Sequence, residues 1–153
     1  MKNTKFKAYD KKEMKQIEEV KEIEFSPNGE VNQIWLVIPV LTPDDDIYWN
    51  FPARTPKECT LIQFTGFKLK GRELYTKDVI QFRYSDKIEP AGYGYCTGVI
   101  EFENGAFVVK EIAFKNYYWK SEDQRPDLLY DWLRDHRCKY LGNVLESKEL
   151  LKL

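Results

Sequence analysis

The dipeptide Asn104-Gly105 constrains the fold of this chain more than any other feature of its sequence. Asn-Gly between two alternating runs is typical of a two-residue β-hairpin turn, because both turn residues must accept a positive φ. The resulting register makes one face apolar and leaves the other mixed, as expected for a sheet covered on one side. The predicted cross-strand pairs are Phe102–Phe107, Ile100–Val109, Glu101–Val108 and Val99–Lys110.

Short strands account for most of the remaining pattern of apolar and polar residues. Residues 5–9 alternate at period two, and residues 14–25 and 31–40 are best interpreted as a hairpin around Pro27-Asn28-Gly29. Further strands are predicted at 80–84 and 139–145.

Helix signals are few. An amphipathic helix is predicted between Pro126 and Arg137, and a final helical turn near Ser147. The apolar stripe of the predicted helix consists of Leu128, Leu129, Trp132 and Leu133. Residues 42–58 contain three prolines and are interpreted as a long loop, in which Thr42 could cap a single helical turn.

Composition and cysteine usage exclude several classes of protein. A net charge of -1 over 153 residues excludes a strongly basic packaging protein and an acidic DNA mimic. Three widely spaced cysteines, no apolar segment after the first residues, and a longest apolar run broken by Pro39 favour a reduced, soluble protein without a membrane segment. We therefore expect a cytoplasmic location.

Catalytic and metal-binding motifs are not evident. The single histidine, His136, is two residues from Cys138, a spacing that directs their side chains to different sides of a helix. The run Asp44-Asp45-Asp46 lacks the pattern of a calcium loop, and Gly92–Gly98 lacks the residues of a phosphate loop. We expect no catalytic residue, no metal and no cofactor.

Aromatic residues make up 15% of the chain and supply the first candidates for a binding site. Tyr117, Tyr118 and Trp119 are consecutive and flanked by lysines, so one core face cannot accept all three rings. Tyr93 and Tyr95 share one side of an extended segment. Exposed rings beside cations suit a protein contact or base stacking, and the alternative is that these rings pack against the sheet.

Charge is segregated along the chain. Residues 1–21 carry seven basic and four acidic residues, a net of +3, and residues 22–60 carry two basic and seven acidic residues, a net of -5. Residues 61–87 return to +3, with six basic and three acidic residues. Such segregation favours self-association or an oriented protein partner.

A family resemblance rests on four segments. The central one is Leu61-Ile62-Gln63-Phe64-Thr65-Gly66-Phe67, followed by Gly71-Arg72-Glu73-Leu74-Tyr75-Thr76-Lys77-Asp78-Val79-Ile80. The others are residues 5–10, 98–110 and 140–151. Together they resemble the YopX family of phage and prophage proteins. Physically, the central signature is typical of scaffold, with Gly66 and Gly71 as turn residues and Asp78 as an acceptor of backbone N–H groups.

The resemblance implies a small β-rich protein with an SH3-type barrel in its C-terminal part, made by a bacteriophage or prophage in a bacterial cell. It implies no biochemical activity. We therefore expect a mainly β fold, in which an N-terminal β-hairpin segment (1–57) precedes a small barrel with one short C-terminal helix (58–153), and the alternative is that the two form one compact unit.

Three functions stay open. The first is a non-enzymatic protein-interaction module that binds a protein partner or itself through Tyr117, Tyr118 and Trp119. The second is nucleic-acid binding through Lys68, Lys70 and Arg72 beside the Gly71 turn. The third is a small hydrolase that uses scattered carboxylates, which leave no local signature.

Overall fold

The structure is a computed structural model that describes residues 4–88, 92–115, 127–135 and 137–152, with the backbone alone at 83–88, 92–94, 113–115, 127 and 135. The chain divides into two compact units, Met1–Gln63 and Phe64–Leu153. Both are built mainly from antiparallel strands, so the expected mainly β fold with one short helix is confirmed.

The first unit is one antiparallel sheet with the strand order β4-β3-β2-β1-β6, to which β5 adds by pairing with β3. Its strands are β1 (Phe6–Asp10), β2 (Ile17–Phe25), β3 (Val31–Leu41), β4 (Ile47–Asn50), β5 (Ala53–Arg54) and the first half of β6 (Cys59–Leu69). The predicted β2–β3 hairpin is confirmed, and Gly29 in its turn has a φ of 84°.

The core of this unit follows from the alternation in the middle of β3, where Ile34, Leu36 and Ile38 are buried. The buried cluster consists of Ala8, Ile34, Leu36, Ile38 and Cys59. Beside it lies a buried ion pair in which the Arg54 guanidinium is 3.3 Å from the Asp10 carboxylate. The prediction of a loop over 42–58 is wrong, because β4 and β5 form there.

The second unit carries the Asn-Gly hairpin. After β6 passes the unit boundary it pairs with β7 (Arg72–Tyr75), and a five-stranded sheet follows in the order β11-β10-β9-β8-β12. Its elements are β8 (Asp78–Ile88), β9 (Gly92–Glu103), β10 (Ala106–Lys115), β11 (Asp127–Leu128), α1 (Leu129–Asp135), β12 (Arg137–Asn143) and the 3-10 helix η1 (Lys148–Lys152). All four predicted cross-strand pairs around Asn104-Gly105 are confirmed.

Two details of the predicted core need correction. Leu128 lies in β11 and is 46% exposed, because the helix begins one residue later, at Leu129. Phe102, on the face of the hairpin predicted to be apolar and covered, is 48% exposed and rests against Phe107 with the ring centroids 5.0 Å apart. The buried cluster instead centres on Trp132, whose ring meets Phe82 edge-on at 4.3 Å.

The expected SH3-type barrel is not confirmed. In the described part of the chain, no strand pairing closes the five-stranded sheet by joining β11 to β12. Among the same residues, no helix has the length and apolar character needed to cross a membrane.

Candidate partner-binding surface

The last residues of β3 extend past the end of its ladder with β2. The β2–β3 ladder ends where Glu19 faces Val37, two residues before Pro39. β2 itself runs on to Ile17, but proline has no N–H to donate, so the ladder gains no hydrogen bond from Pro39. From Ile38 to Leu41, β3 pairs with β4 alone among the described residues. We call residues 38–41 and 47–51 the β3–β4 arm.

A three-residue turn closes the arm. The Thr42 N–H donates to the Asp46 carbonyl at 2.8 Å, and the Asp46 N–H donates to the Thr42 hydroxyl at 3.1 Å. Asp45 has a φ of 63°, a left-handed conformation that aspartate tolerates better than most residues. The predicted helical turn at Thr42 is therefore a hairpin turn, and the side chains of Asp44, Asp45 and Asp46 project at its exposed tip.

The arm leaves large apolar side chains in water. On one face Pro39 lies opposite Trp49 and Leu41 opposite Ile47, while Val40 lies opposite Tyr48 on the other. The exposed fractions are 65% for Leu41, 62% for Ile47, 54% for Tyr48, 57% for Trp49 and 41% for Phe51. Soluble monomers rarely leave a contiguous apolar patch larger than a few hundred Å² uncovered.

The backbone of β4 presents hydrogen-bonding groups to the same surface. Hydrogen-bonded and non-hydrogen-bonded pairs alternate along an antiparallel ladder. Thr42 and Asp46 form a hydrogen-bonded pair, and so do Leu36 and Pro52, whose N–H and carbonyl are 3.0 Å apart. Counting every second residue of β4 between these pairs shows which residues bond to β3. The N–H and C=O groups of Ile47, Trp49 and Phe51 therefore point away from β3, toward the outer edge.

This edge lacks the protection found at the other described edges. Natural proteins discourage edge pairing with charged side chains or with very short strands. The edge strand β7 carries Arg72 and Glu73, β12 carries Arg137 and Lys139, and β11 is two residues long. By contrast β4 reads Ile-Tyr-Trp-Asn and has no charge.

The aromatic residues singled out from sequence are only partly described. Tyr117, Tyr118 and Trp119 lie outside the described residues, as does His136, and of Tyr93 only the backbone is described. Tyr95 is half-buried in β9, opposite Arg83 and Lys115 on the neighbouring strands. These residues stay candidates on sequence grounds.

The three cations of the nucleic-acid alternative do come together. Lys70 and Gly71, with φ values of 50° and 83°, form the turn between β6 and β7, and Lys68, Lys70 and Arg72 are all exposed around it. The Arg72 guanidinium lies 4.2 Å from the centre of the Tyr140 ring. Glu73 lies opposite Lys68 and lowers the positive charge of the turn.

The family signature is structural where it is most buried. Asp78 is 4% exposed, and its carboxylate accepts the Tyr75 N–H at 2.7 Å and the Asn143 amide at 2.9 Å. Lys77, with a φ of 71°, donates its N–H to the Ile100 carbonyl at 2.7 Å. The signature thus joins β7, β8, β9 and β12, and the predicted backbone-acceptor role of Asp78 is confirmed.

Burial and ion pairing shift the pKa values of the buried Asp10, Cys59 and Cys138 side chains. Burial raises the pKa of the Cys59 and Cys138 thiols to about 11, so both stay protonated near neutral pH. Burial alone would raise the pKa of Asp10, but hydrogen bonds from Arg54 and the Lys12 N–H outweigh it and hold that pKa below its ordinary value. No three His, Cys, Asp or Glu side chains within the described ranges are grouped to hold a metal ion.

The exposed arm was missed by sequence reasoning. Three prolines led to the interpretation of a loop, although Ile47 to Phe51 is uniformly bulky apart from Asn50. The available signal was an aspartate-rich turn between two β-prone runs, Ile34–Leu41 and Ile47–Phe51. Whether those side chains are buried depends on which strands flank them, and the sequence of residues 47–51 does not determine the flanking strands.

Comparisons with known proteins agree with this architecture. The family model described as YopX protein matches residues 5–152, nearly the whole chain. The crystal structure of protein EF1440 from Enterococcus faecalis is similar, with a TM-score of 0.58, 20% sequence identity and 97% of each chain covered. At that identity the likeness concerns the fold alone. A comparison with curated protein sequences finds no significant match. On the family match, the chain belongs to the YopX family.

Proposed function

We propose that the protein is a non-enzymatic interaction module that binds a protein partner through the β3–β4 arm. The observation that carries the proposal is the row of exposed side chains Ile47, Tyr48 and Trp49 on a charge-free edge strand. Tryptophan and tyrosine are enriched among the residues that dominate binding energy at protein interfaces.

The energetics support this choice. An aromatic side chain removes about 150–250 Å² from water when fully buried, so the half-exposed arm leaves on the order of 500 Å² of apolar surface in water. Covering that surface is worth roughly 25 cal/mol per Å² before the costs of association are subtracted. Edge-strand addition also supplies main-chain hydrogen bonds that orient the partner.

The biological setting is part of the proposal. The family resemblance suggests a bacteriophage or prophage product that acts in the cytoplasm of a bacterial host cell. We also propose that the C-terminal unit has an SH3-type arrangement of strands. Tyr117, Tyr118 and Trp119 are proposed as a second contact, since three adjacent rings exceed what one sheet face can cover.

Affinity capture from bacterial cells that express the protein tests the arm. We expect Trp49→Ser to reduce partner recovery at least tenfold, while Phe25→Ser, which removes a comparably exposed aromatic (59%) elsewhere in the same unit, leaves recovery unchanged. Equal recovery with wild type and Trp49→Ser would overturn the assignment to the arm. The double variant Tyr117→Ala with Trp119→Ala tests the second contact, and unchanged recovery with a lower melting temperature would make those rings structural.

Nucleic-acid binding is the alternative, favoured by the basic turn with Arg72 stacked on Tyr140. Phosphate contacts make affinity fall steeply with salt. Titration with single- and double-stranded DNA and RNA at low and moderate salt is the test, with Lys70→Glu as the variant. No binding at low salt would remove this alternative.

We propose no catalytic role. A hydrolase with scattered carboxylates is the weakest alternative, because catalytic carboxylates must converge on one substrate. Turnover of a panel of ester, phosphoester and glycoside substrates that is lost in a carboxylate variant would contradict the non-enzymatic proposal.

A further inference from the structure

We infer that the occupant of the β4 edge is a second copy of this chain, with two β4 strands paired antiparallel about a twofold axis at Trp49. The inference rests on the proposed function, because it names the partner of the same arm. It goes further by fixing the register of the interface and the residues that meet across it.

The backbone determines which registers are allowed. Only Ile47, Trp49 and Phe51 direct their N–H and C=O groups outward, so only these residues can form the hydrogen-bonded pairs of a new antiparallel ladder. Centring the axis on Trp49 pairs it with Trp49 of the second copy and pairs Ile47 with Phe51 of the second copy. This register uses every outward backbone group of the three residues, whereas centring on Tyr48 leaves those of Phe51 unused.

The side chains of this register are compatible. Trp49 meets Trp49, and Ile47 meets Phe51, so the most exposed apolar groups of each edge cover one another. On the opposite face Tyr48 lies beside Asn50 of the second copy. An isologous contact of this kind uses the same patch on both subunits, as most homodimers do.

The charges near β4 favour a second copy as the occupant. The Trp49-centred register carries Asp46 of one copy past Phe51 of the other, and the Lys21 ammonium lies 4.2 Å from the centre of that Phe51 ring. Asp46 then lies opposite Pro52 of the second copy, so the acidic tip of each arm reaches the end of the partner's β4 where Lys21 packs, and no two aspartates face each other. Such pairing orients the two copies and disfavours shifted registers.

The mass in solution tests the dimer. The arm supplies on the order of 500 Å² of apolar surface per copy, below the roughly 800 Å² of a standard interface, so we expect a weak dimer with a micromolar dissociation constant. Sedimentation from micromolar to near-millimolar concentration should show the mass rising from 18.2 kDa toward twice that value. A mass of one chain throughout the series would overturn the inference.

Matched variants assign the interface. Trp49→Lys places a charge at the twofold axis and should keep the mass at one chain across the series. Phe25→Lys changes an equally exposed aromatic away from the arm and should leave dimerisation unchanged. Circular dichroism establishes that both variants are folded. A dimer that survives Trp49→Lys, or dissociates equally in Phe25→Lys, would contradict the assignment to β4.

Cysteine cross-linking tests the register. In the Trp49-centred register, positions 48 and 50 of opposite copies form a non-hydrogen-bonded pair, with Cα atoms about 4.5 Å apart, within disulfide reach. A mixture of Tyr48→Cys and Asn50→Cys chains should therefore cross-link as a heterodimer under mild oxidation. The native cysteines are buried and do not compete. Rapid cross-linking of Tyr48→Cys alone would overturn this register, because it indicates an axis at Tyr48.

The mass in solution and the partner capture together distinguish the dimer from the interaction module. A single-chain mass together with partner capture that depends on Trp49 would refute the dimer and retain the interaction module. A single-chain mass together with capture insensitive to Trp49 would refute both.

Discussion

Replacing Asp78 with alanine tests whether the family signature is scaffold. The carboxylate accepts the Tyr75 N–H at 2.7 Å and the Asn143 amide at 2.9 Å, and Asp78, Tyr75 and Asn143 are all buried. Asn143 in turn accepts the Leu145 N–H at 3.0 Å, so its orientation helps to fix the segment after β12. Asp78→Ala removes an acceptor from two buried donors at once.

The expected loss of stability follows from those two donors. A buried donor that loses its acceptor costs about 1–3 kcal/mol. The Tyr75 N–H loses its bond to Asp78, whereas the Asn143 amide keeps its bond to the Thr76 carbonyl at 3.5 Å and loses less. Relief from burying a carboxylate offsets part of the cost, so we expect a net loss of about 2 kcal/mol. For a unit the size of residues 64–153 that corresponds to a fall in melting temperature of roughly 8–16 °C.

Urea unfolding followed by far-UV circular dichroism and by tryptophan fluorescence, to which the buried Trp132 contributes, measures the change. The matched control is Asp131→Ala, because Asp131 makes a partly exposed ion pair with Arg134 at 3.2 Å and should cost less than about 0.5 kcal/mol. A loss below about 1 kcal/mol for Asp78→Ala would refute the structural account. A gain in stability would instead indicate that Asp78 lowers the stability of the fold and is kept for a functional role.

Three further outcomes are expected. Gly98→Ala should destabilise by about 1–3 kcal/mol in thermal unfolding, because the added methyl would overlap Val109 and approach the Lys110 carbonyl oxygen to 3.0 Å; unchanged stability would contradict the tight packing of β9 on β10. The pKa of Asp10 is lower in the folded protein than in the unfolded chain, so ionised Asp10 stabilises the fold fully above its unfolded pKa, and this stabilisation is lost as the pH falls through its folded pKa. Asp10→Asn should therefore weaken the loss of stability that acid causes below about pH 4. An identical dependence of stability on pH in the variant and the wild type would contradict this. With its pKa raised to about 11, the Cys59 thiol should react with an alkylating reagent at pH 8 far more slowly in the native protein than in urea, and equal rates would show that it is accessible.

Local signals explain the part of the fold that sequence predicts well. The hairpin at Asn104-Gly105 follows from two adjacent residues that accept positive φ, here 50° and 81°, and from alternation that fixes the register. The β2–β3 hairpin follows in the same way from Gly29. In both, the turn chemistry and the pairing partners lie within a few residues of each other.

The candidate surface was harder to predict because exposure is not a local property. Nothing within Ile47–Phe51 indicates that β3 would extend past its ladder with β2 and leave Tyr48 and Trp49, on opposite faces of the arm, exposed. Phe102 illustrates the same limit, since its register was predicted correctly but its exposure was not. The pairing of a strand can be inferred from its neighbours in sequence. Whether its side chains are buried depends on elements that are distant in the chain.

Residue-resolved amide hydrogen exchange along β4 tests the central claim most directly. The N–H groups of Tyr48 and Asn50 point toward β3 and should be protected at every protein concentration, whereas those of Ile47, Trp49 and Phe51 point outward. The account predicts that these three outward amides exchange rapidly in dilute protein and become protected as the concentration rises. Rapid exchange of the outward amides at concentrations where the protein is fully dimeric would contradict the claim that the β3–β4 arm is the interface.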